Sequence, residues 1–178
     1  QRKVIEEVSK GAVIMIENAG LILTWPFLAT LFAKLKLTDK NKFVDDYAQQ
    51  KAILLSQYVI NFNTDFDEQS LVLNKIICGM EITGFVDTSI EISDHEKETC
   101  NFLLNAIIQN WEKLNKTSIN TLQETFLQRN GELVKSEKDF KLTVETKAFD
   151  VLLKTIPWNI GMIQTSFMKN RLLVDWNY

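Results

Sequence analysis

The sequence predicts an α+β fold: a helix-rich N-terminal two thirds packed on a small, mainly antiparallel sheet formed largely by the C-terminal third. Apolar residues recur at helical spacing up to about residue 128. From residue 132 onward they alternate with polar residues, which is the period of a strand. Strands therefore follow helices as a block, whereas βαβ folds alternate the two.

The composition is that of a globular domain. The chain has 178 residues, 46% hydrophobic and 24% charged, so we expect a single domain over 1–178, with 1–10 as a short extension. A net charge of −3 without a Lys/Arg stripe argues against nucleic acid. The uncharged stretch 18–33 is shorter than the ~20 residues of a membrane helix, and Pro26 interrupts it, so no membrane span is predicted.

The helices are predicted from apolar periodicity and terminal signals. Residues 11–16 fit a strand or a helix end, and periodicity does not decide between them. Thr24 followed by Pro26 marks a helix start. Ser93 with Glu96 forms a capping box. After the helix that starts near Thr24, further helices are predicted over residues 45–62, 70–80, 93–114 and 118–128.

The last third predicts strands. Residues 132–146 read as two strands joined by a polar turn, and in the second strand Phe140, Leu142 and Val144 share one face. A short helix over 148–156 is expected to end near Pro157. Two further strands are predicted over residues 161–167 and 171–176.

The residues do not form a convincing catalytic site. The one His, His95, lies in the first turn of a predicted helix, where neighbouring acids are explained by the helix dipole. A hydrolase that uses His95 is an alternative and requires a pocket that also holds an acid and a nucleophile. Cys78 and Cys100 are far apart and read as buried hydrophobes, so neither a zinc site nor a redox pair is predicted.

A calcium loop is also not supported. Asp65, Asp67 and Glu68 are closely spaced acids, but the Gly and the final Glu that a calcium-binding loop requires are absent. The prediction is therefore no catalytic residue, no metal and no cofactor.

Five segments, taken together, resemble the contractile injection system tape measure family. Their order is an ENAG–WPFL start, an LNK–CG middle, an ETFLQR–G segment and a PW–I ending, and the resemblance covers about residues 11–176. None of these motifs is a catalytic signature. The quoted segments are "IENAGLILTWPFLATLF" (16–32), "QQKAILLSQYV" (49–59), "LVLNKIICGM" (71–80), "LLNAIIQNWEKLNKTSINTLQETFLQRNGEL" (103–133) and "DVLLKTIPWNIGMIQTSFM" (150–168).

The resemblance implies a non-enzymatic assembly protein that helps to set the length of tube and sheath. It implies contacts with inner-tube, hub or baseplate proteins, a possible homo-oligomer inside the tube, and no cofactor. The protein would be cytoplasmic during assembly and part of a particle that is released or membrane-attached. Even as one continuous helix the chain would span only about 270 Å. We therefore expect it to be the compact terminal domain of a longer protein that anchors the ruler at one end of the tube.

A free-standing adaptor or chaperone-like protein-binding domain is the alternative function. The apolar C-terminal stretch bears on either function, and four of its residues are candidates for partner binding. They are Trp158, Met162, Phe167 and Trp176. In one interpretation the strands complete a sheet and the two Trp close the core. In the other, part of the stretch stays exposed as a docking edge.

Overall fold

The computed structural model describes residues 11–178, so the short extension expected for residues 1–10 lies outside the described residues. Its main feature is a five-stranded sheet of order β1-β4-β5-β7-β6. These strands are β1 (Val13–Ile16), β4 (Gly131–Lys135), β5 (Asp139–Val144), β6 (Met162–Ile163) and β7 (Arg171–Asp175); a separate hairpin consists of β2 (Thr38–Asp39) and β3 (Lys42–Phe43).

The prediction of a mainly antiparallel sheet from the C-terminal third is wrong. The sheet is mixed, because β5 and β7 pair in parallel while the other pairs are antiparallel. A parallel pair needs a long crossover, and residues 145–170 supply it. In addition, one edge of the sheet is β1, from the start of the described chain. Local periodicity does not reveal that a strand near residue 13 pairs with one near residue 134.

The helices lie close to their predicted positions. The α-helices are α1 (Trp25–Lys34), α2 (Asp46–Asn61), α3 (Val72–Ile77), α4 (Asp94–Asn110) and α5 (Ile119–Leu122). The 3₁₀ segments are Ala19–Thr24, Glu68–Ser70, Glu112–Leu114 and Ala148–Thr155, and a π-helical turn covers Gln123–Leu127. The short helix expected over 148–156 is thus a 3₁₀ helix, and the predicted helix 118–128 is α followed by π.

Terminal signals explain where the long helices begin. Asp45 caps α2 by accepting a hydrogen bond from the Ala48 N–H at 2.7 Å. The predicted capping box of α4 is confirmed, since the Ser93 hydroxyl accepts from Glu96 N–H and the Glu96 carboxylate accepts from Ser93 N–H. α4 ends four residues before its predicted end at Leu114, because Trp111 leaves the helical region with ψ 88°.

The core lies between the helices and the inner face of the sheet. The predicted face of Phe140, Leu142 and Val144 is confirmed as buried. The fully buried 3₁₀ segment Ala19–Thr24 packs closely against the π-helical turn. At Gly20 the approach leaves no room for a side chain, because a Cβ there would lie 1.8 Å from a backbone carbonyl oxygen.

Candidate partner-binding site

The outer face of the five-stranded sheet, on the side away from the core, is open to solvent. Side chains alternate between the two faces of a strand, so the residues between the buried ones define this face. Its members are Val13, Met15, Glu132, Val134, Asp139, Lys141, Thr143, Met162, Arg171, Leu173 and Asp175. Val13 is 55% exposed and Met15 is 66% exposed. We call this surface the outer face.

One cross-strand row spans the whole outer face. Val13 pairs with Val134, Val134 with Lys141, Lys141 with Leu173, and Leu173 with Met162. Four of these five side chains are apolar, and each is exposed or half-buried. Neighbouring side chains in a row lie close enough to contact one another. The row therefore presents an apolar stripe that Lys141 interrupts at its centre and that charged and polar residues border.

Met162 is the predicted candidate that lies on this stripe, with 40% of its surface exposed. Trp158 is half-buried: its Nε1 donates to the Leu23 carbonyl at 3.0 Å, and its ring packs edge-on against Phe27 at 5.2 Å. Trp158 thus ties the C-terminal segment to the start of α1. Trp176 is 5% exposed and belongs to the interior.

Phe167 is half-buried beside the small hairpin. Its ring stacks on Phe43 at 4.6 Å and lies 5.8 Å from the ring of Phe32. Its carbonyl oxygen also approaches Gly79, where a Cβ would lie 2.0 Å away. The structure therefore places the four candidates at separate locations rather than in one patch.

Trp176 belongs to a buried ionic cluster that we call the Arg129 cluster. The guanidinium of Arg129 donates to both carboxylate oxygens of Asp150, at 2.6 and 2.8 Å. Trp176 Nε1 donates to the same carboxylate at 2.9 Å, and its ring lies 5.2 Å from the guanidinium carbon. Arg129 also donates to the Glu145 and Thr125 carbonyls. The cluster joins the π-helical turn, the 3₁₀ segment Ala148–Thr155 and the end of β7.

The surroundings of Asp150 favour its ionised form. Burial alone would raise the pKa of this carboxyl group, but hydrogen bonds from Arg129, the Lys147 backbone N–H and Trp176 outweigh burial and hold the pKa below its usual range. A charge with these partners stabilises a single geometry. The Arg129 cluster is a structural element rather than a reactive site, because both carboxylate oxygens of Asp150 and both Nη atoms of Arg129 are hydrogen-bonded. Arg129 Nε has no partner among the described residues.

The described residues do not form a catalytic constellation around His95. His95 is exposed in the first turn of α4, and no group of three or more potential metal ligands occurs within residues 11–178. Burial raises the pKa of Cys100 to about 12, with the Glu96 charge adding to the effect, and burial also raises the pKa of Cys78. Among the described helices, none is long and apolar enough to cross a membrane.

Comparison with known families matches nearly the whole chain. The family model described as "Contractile injection system tape measure protein" covers residues 1–176. The chain belongs to this family. No curated protein and no solved structure gave a match.

Membership in the tape measure family assigns a structural role in a contractile injection particle. Such a role requires interaction with other components of the particle. The family resemblance drawn from the five ordered segments is therefore confirmed. For this family member, the outer face is the described surface that combines exposed apolar side chains with a regular geometry.

Sequence reasoning missed two features of this tape measure family member. The outer face depends on β1, whose place at the sheet edge cannot be read from residues 11–16 alone. The Arg129 cluster joins residues 21 and 26 positions apart. The sequence shows little sign that Arg129 and Asp150 are buried, since Arg129 precedes an apparent helix stop and Asp150 lies in an amphipathic stretch.

Proposed function

We propose that this tape measure family member is a non-enzymatic assembly domain that anchors the ruler to a tube-end or baseplate component and so helps to set the length of tube and sheath. Family membership supports this proposal, and the outer face offers a surface for the anchor. The observation that carries the anchoring step is the largely apolar row from Val13 to Met162, whose side chains are exposed or half-buried across five paired strands.

The outer face fits protein rather than a small molecule. Flat apolar stripes with a polar border are typical of protein–protein contacts, whereas small ligands bind in concave sites. Met162 is the predicted candidate that we propose contacts the partner directly. Trp158 and Phe167 would support the contact from neighbouring positions, and Trp176 would act through the Arg129 cluster that fixes the end of β7.

The test introduces charge on the outer face of the protein in its natural particle. Val13→Lys with Met162→Lys changes two exposed side chains, so the fold should persist. We expect weaker co-purification with purified tube and baseplate components, and particles of altered or heterogeneous length in electron micrographs.

The matched control is Val44→Lys with Phe102→Lys. These side chains are 55% and 62% exposed, are also apolar, and lie outside the five-stranded sheet. Particles of normal length and composition from the Val13/Met162 variant would refute the outer face as the anchor. Normal particles after removal of the whole domain would refute the assembly function itself.

A further inference from the structure

Beside the outer face lies a polar cleft, which shares Met15 with that face and is otherwise formed by residues that the proposed anchoring does not use. The cleft has a volume of about 670 Å³, within the range of ~300–1,000 Å³ typical of ligand sites. Its walls come from the end of β1, the C-terminal end of α2, the connection over residues 63–70 and the residues just before β4. Amide and carboxylate side chains dominate the lining.

The charge of the cleft is negative. Glu17, Asp65 and Asp67 contribute carboxylates, and none of the described residues that line the cleft is a Lys, Arg or His. Clefts lined with charge of one sign concentrate ligands of the opposite sign. The complementary ligand is therefore cationic.

A buried acceptor in the cleft lacks a donor. Asn18 lines the cleft and is 3% exposed, and its Oδ1 has no hydrogen-bond partner among the described residues. Its Nδ2 donates to Gln57 Oε1 and Asn74 Oδ1, both at 2.8 Å. A buried acceptor left unpaired is destabilising. The Asn18 Oδ1 is itself covered, so an N–H group of a ligand reaches it only when a side chain of the cleft lining moves.

The hydrogen-bond network fixes which Asn18 atom is left over. The Ser56 hydroxyl donates to the Ile53 carbonyl, so its oxygen is free to accept from Asn74 Nδ2 at 2.9 Å. This bond turns the Asn74 Oδ1 toward Asn18, which must then present its own Nδ2. An amide flip of Asn18 would bring two oxygens together, so Oδ1 remains the unpaired atom.

One edge of β1 has no partner strand among residues 11–178, and this free edge borders the same cleft. The Glu145 N–H donates to the Asn130 carbonyl, which places the hydrogen-bonded pairs of the β4–β5 ladder at even-numbered β4 positions. Odd-numbered β4 residues therefore bond to β1, where their partners are Ile14 and Ile16. The backbone groups of Val13 and Met15 consequently point to the outside edge of the described sheet. An edge of this kind can pair with an added strand.

We infer that the cleft binds an extended polypeptide segment carrying Lys or Arg side chains, which adds to the free edge of β1. Backbone pairing with Val13 and Met15 would give affinity, as in other cases of strand addition. The basic side chains would pair with Glu17 and Asp65, and a shift of the cleft lining would let a ligand N–H satisfy Asn18 Oδ1. The inference goes beyond the proposed anchoring and concerns the cleft and the edge of β1, which adjoin the outer face at Val13 and Met15.

The experiment uses a fluorescein-labelled, capped octapeptide of alternating lysine and valine, with glutamate replacing lysine in the control peptide. Anisotropy titration and ¹⁵N-detected shifts of the full chain report affinity and location. We expect the lysine peptide to bind and to shift amides of residues 13–18 and 63–70, with binding weakened by salt. Failure of the lysine peptide to bind at up to about 1 mM, or equal binding of both peptides, would overturn the inference.

Variants separate charge from strand addition. Glu17→Gln with Asp65→Asn removes two exposed carboxylates and should weaken binding roughly three- to thirtyfold. Glu98→Gln with Glu124→Gln, the matched control, should stay within about twofold. Equal losses in the two pairs would refute the site.

Met15→Pro tests the edge itself, because Pro is tolerated on an edge strand whose N–H faces solvent. We expect a loss of about tenfold or more with an unchanged circular dichroism spectrum. Unchanged affinity would refute strand addition. None of these outcomes depends on particle length, so failure here leaves the anchoring proposal standing, and failure of that proposal leaves this site standing.

Discussion

The Arg129 cluster allows a sharp prediction about stability. Asp150→Asn keeps the shape of the side chain but removes the charge that neutralises a fully buried guanidinium. Removing one partner of a buried ion pair costs about 3–5 kcal/mol, since the other charge stays buried without compensation. The free energy of unfolding of a domain is about 5–15 kcal/mol, so this single change should remove a large share of the stability.

The chain provides a matched control for this change. Asp139 and Arg171 form the same type of pair, also through two hydrogen bonds, but their side chains are 20% and 54% exposed. Asp139→Asn should cost less than about 1 kcal/mol, because solvent already screens that pair. Urea denaturation at pH 7, followed by circular dichroism, measures both free energies of unfolding.

The pH dependence gives a second readout of the same cluster. The folded pKa of Asp150 lies below its unfolded value of about 3.9, so the stabilisation is fully present above that pH and is lost as the pH falls through the folded pKa. The difference in stability between the native chain and Asp150→Asn should therefore shrink below about pH 4. Equal losses from Asp150→Asn and Asp139→Asn at pH 7 would refute the reasoning.

Three further predictions concern packing and reactivity. Trp176→Phe removes the indole hydrogen bond to the buried carboxylate and should lower the free energy of unfolding by about 1–3 kcal/mol in urea, while the outer-face substitutions described above stay near zero. Gly79→Ala should cost more than about 2 kcal/mol by the same measurement, because φ is +77° and a Cβ would lie 2.0 Å from the Phe167 carbonyl oxygen; a stable variant would contradict this backbone geometry. Cys78 and Cys100 should resist Ellman's reagent at pH 8 until the chain is unfolded, since burial disfavours both thiolates, and rapid native labelling would show that a thiol is accessible.

Local sequence signals predicted much of the secondary structure. The capping box at Ser93, the helix start near Pro26 and the alternation in β5 act over only a few residues, so they can be read directly from the chain. The same local signals predicted the wrong length for a strand whose end is set by its pairing with a neighbouring strand. β6 spans two residues rather than the predicted seven, because pairing with β7 ends after Ile163.

The candidate sites were less accessible to sequence reasoning. The C-terminal residues were grouped because they are close in sequence and apolar, yet Met162 lies on the outer face while Trp176 lies inside. The sequence predicts a polar connection without a calcium site at Asp65 and Asp67, and the place of these residues in the polar cleft depends on the end of β1. In each case the residues that surround the candidate side chain in the fold come from distant parts of the chain, so a local pattern does not reveal them.

By itself the sequence determined the long helices and the strand-rich C-terminal third, the capping box at Ser93, the inner face of β5, and the family to which the chain belongs, because these depend on local patterns and on ordered motifs. Residues 11–16 and the β2–β3 hairpin were not determined in this way. Only the tertiary structure decided that the sheet is mixed, that β1 forms an edge, and that Arg129 meets Asp150 and Trp176. Those features depend on closing long loops, for which the hydrogen-bond partners lie tens of residues away. Both the local pattern and the tertiary packing act on the apolar C-terminal stretch. Its strands follow from the alternation of residues, while the exposure of each side chain follows from the packing around it.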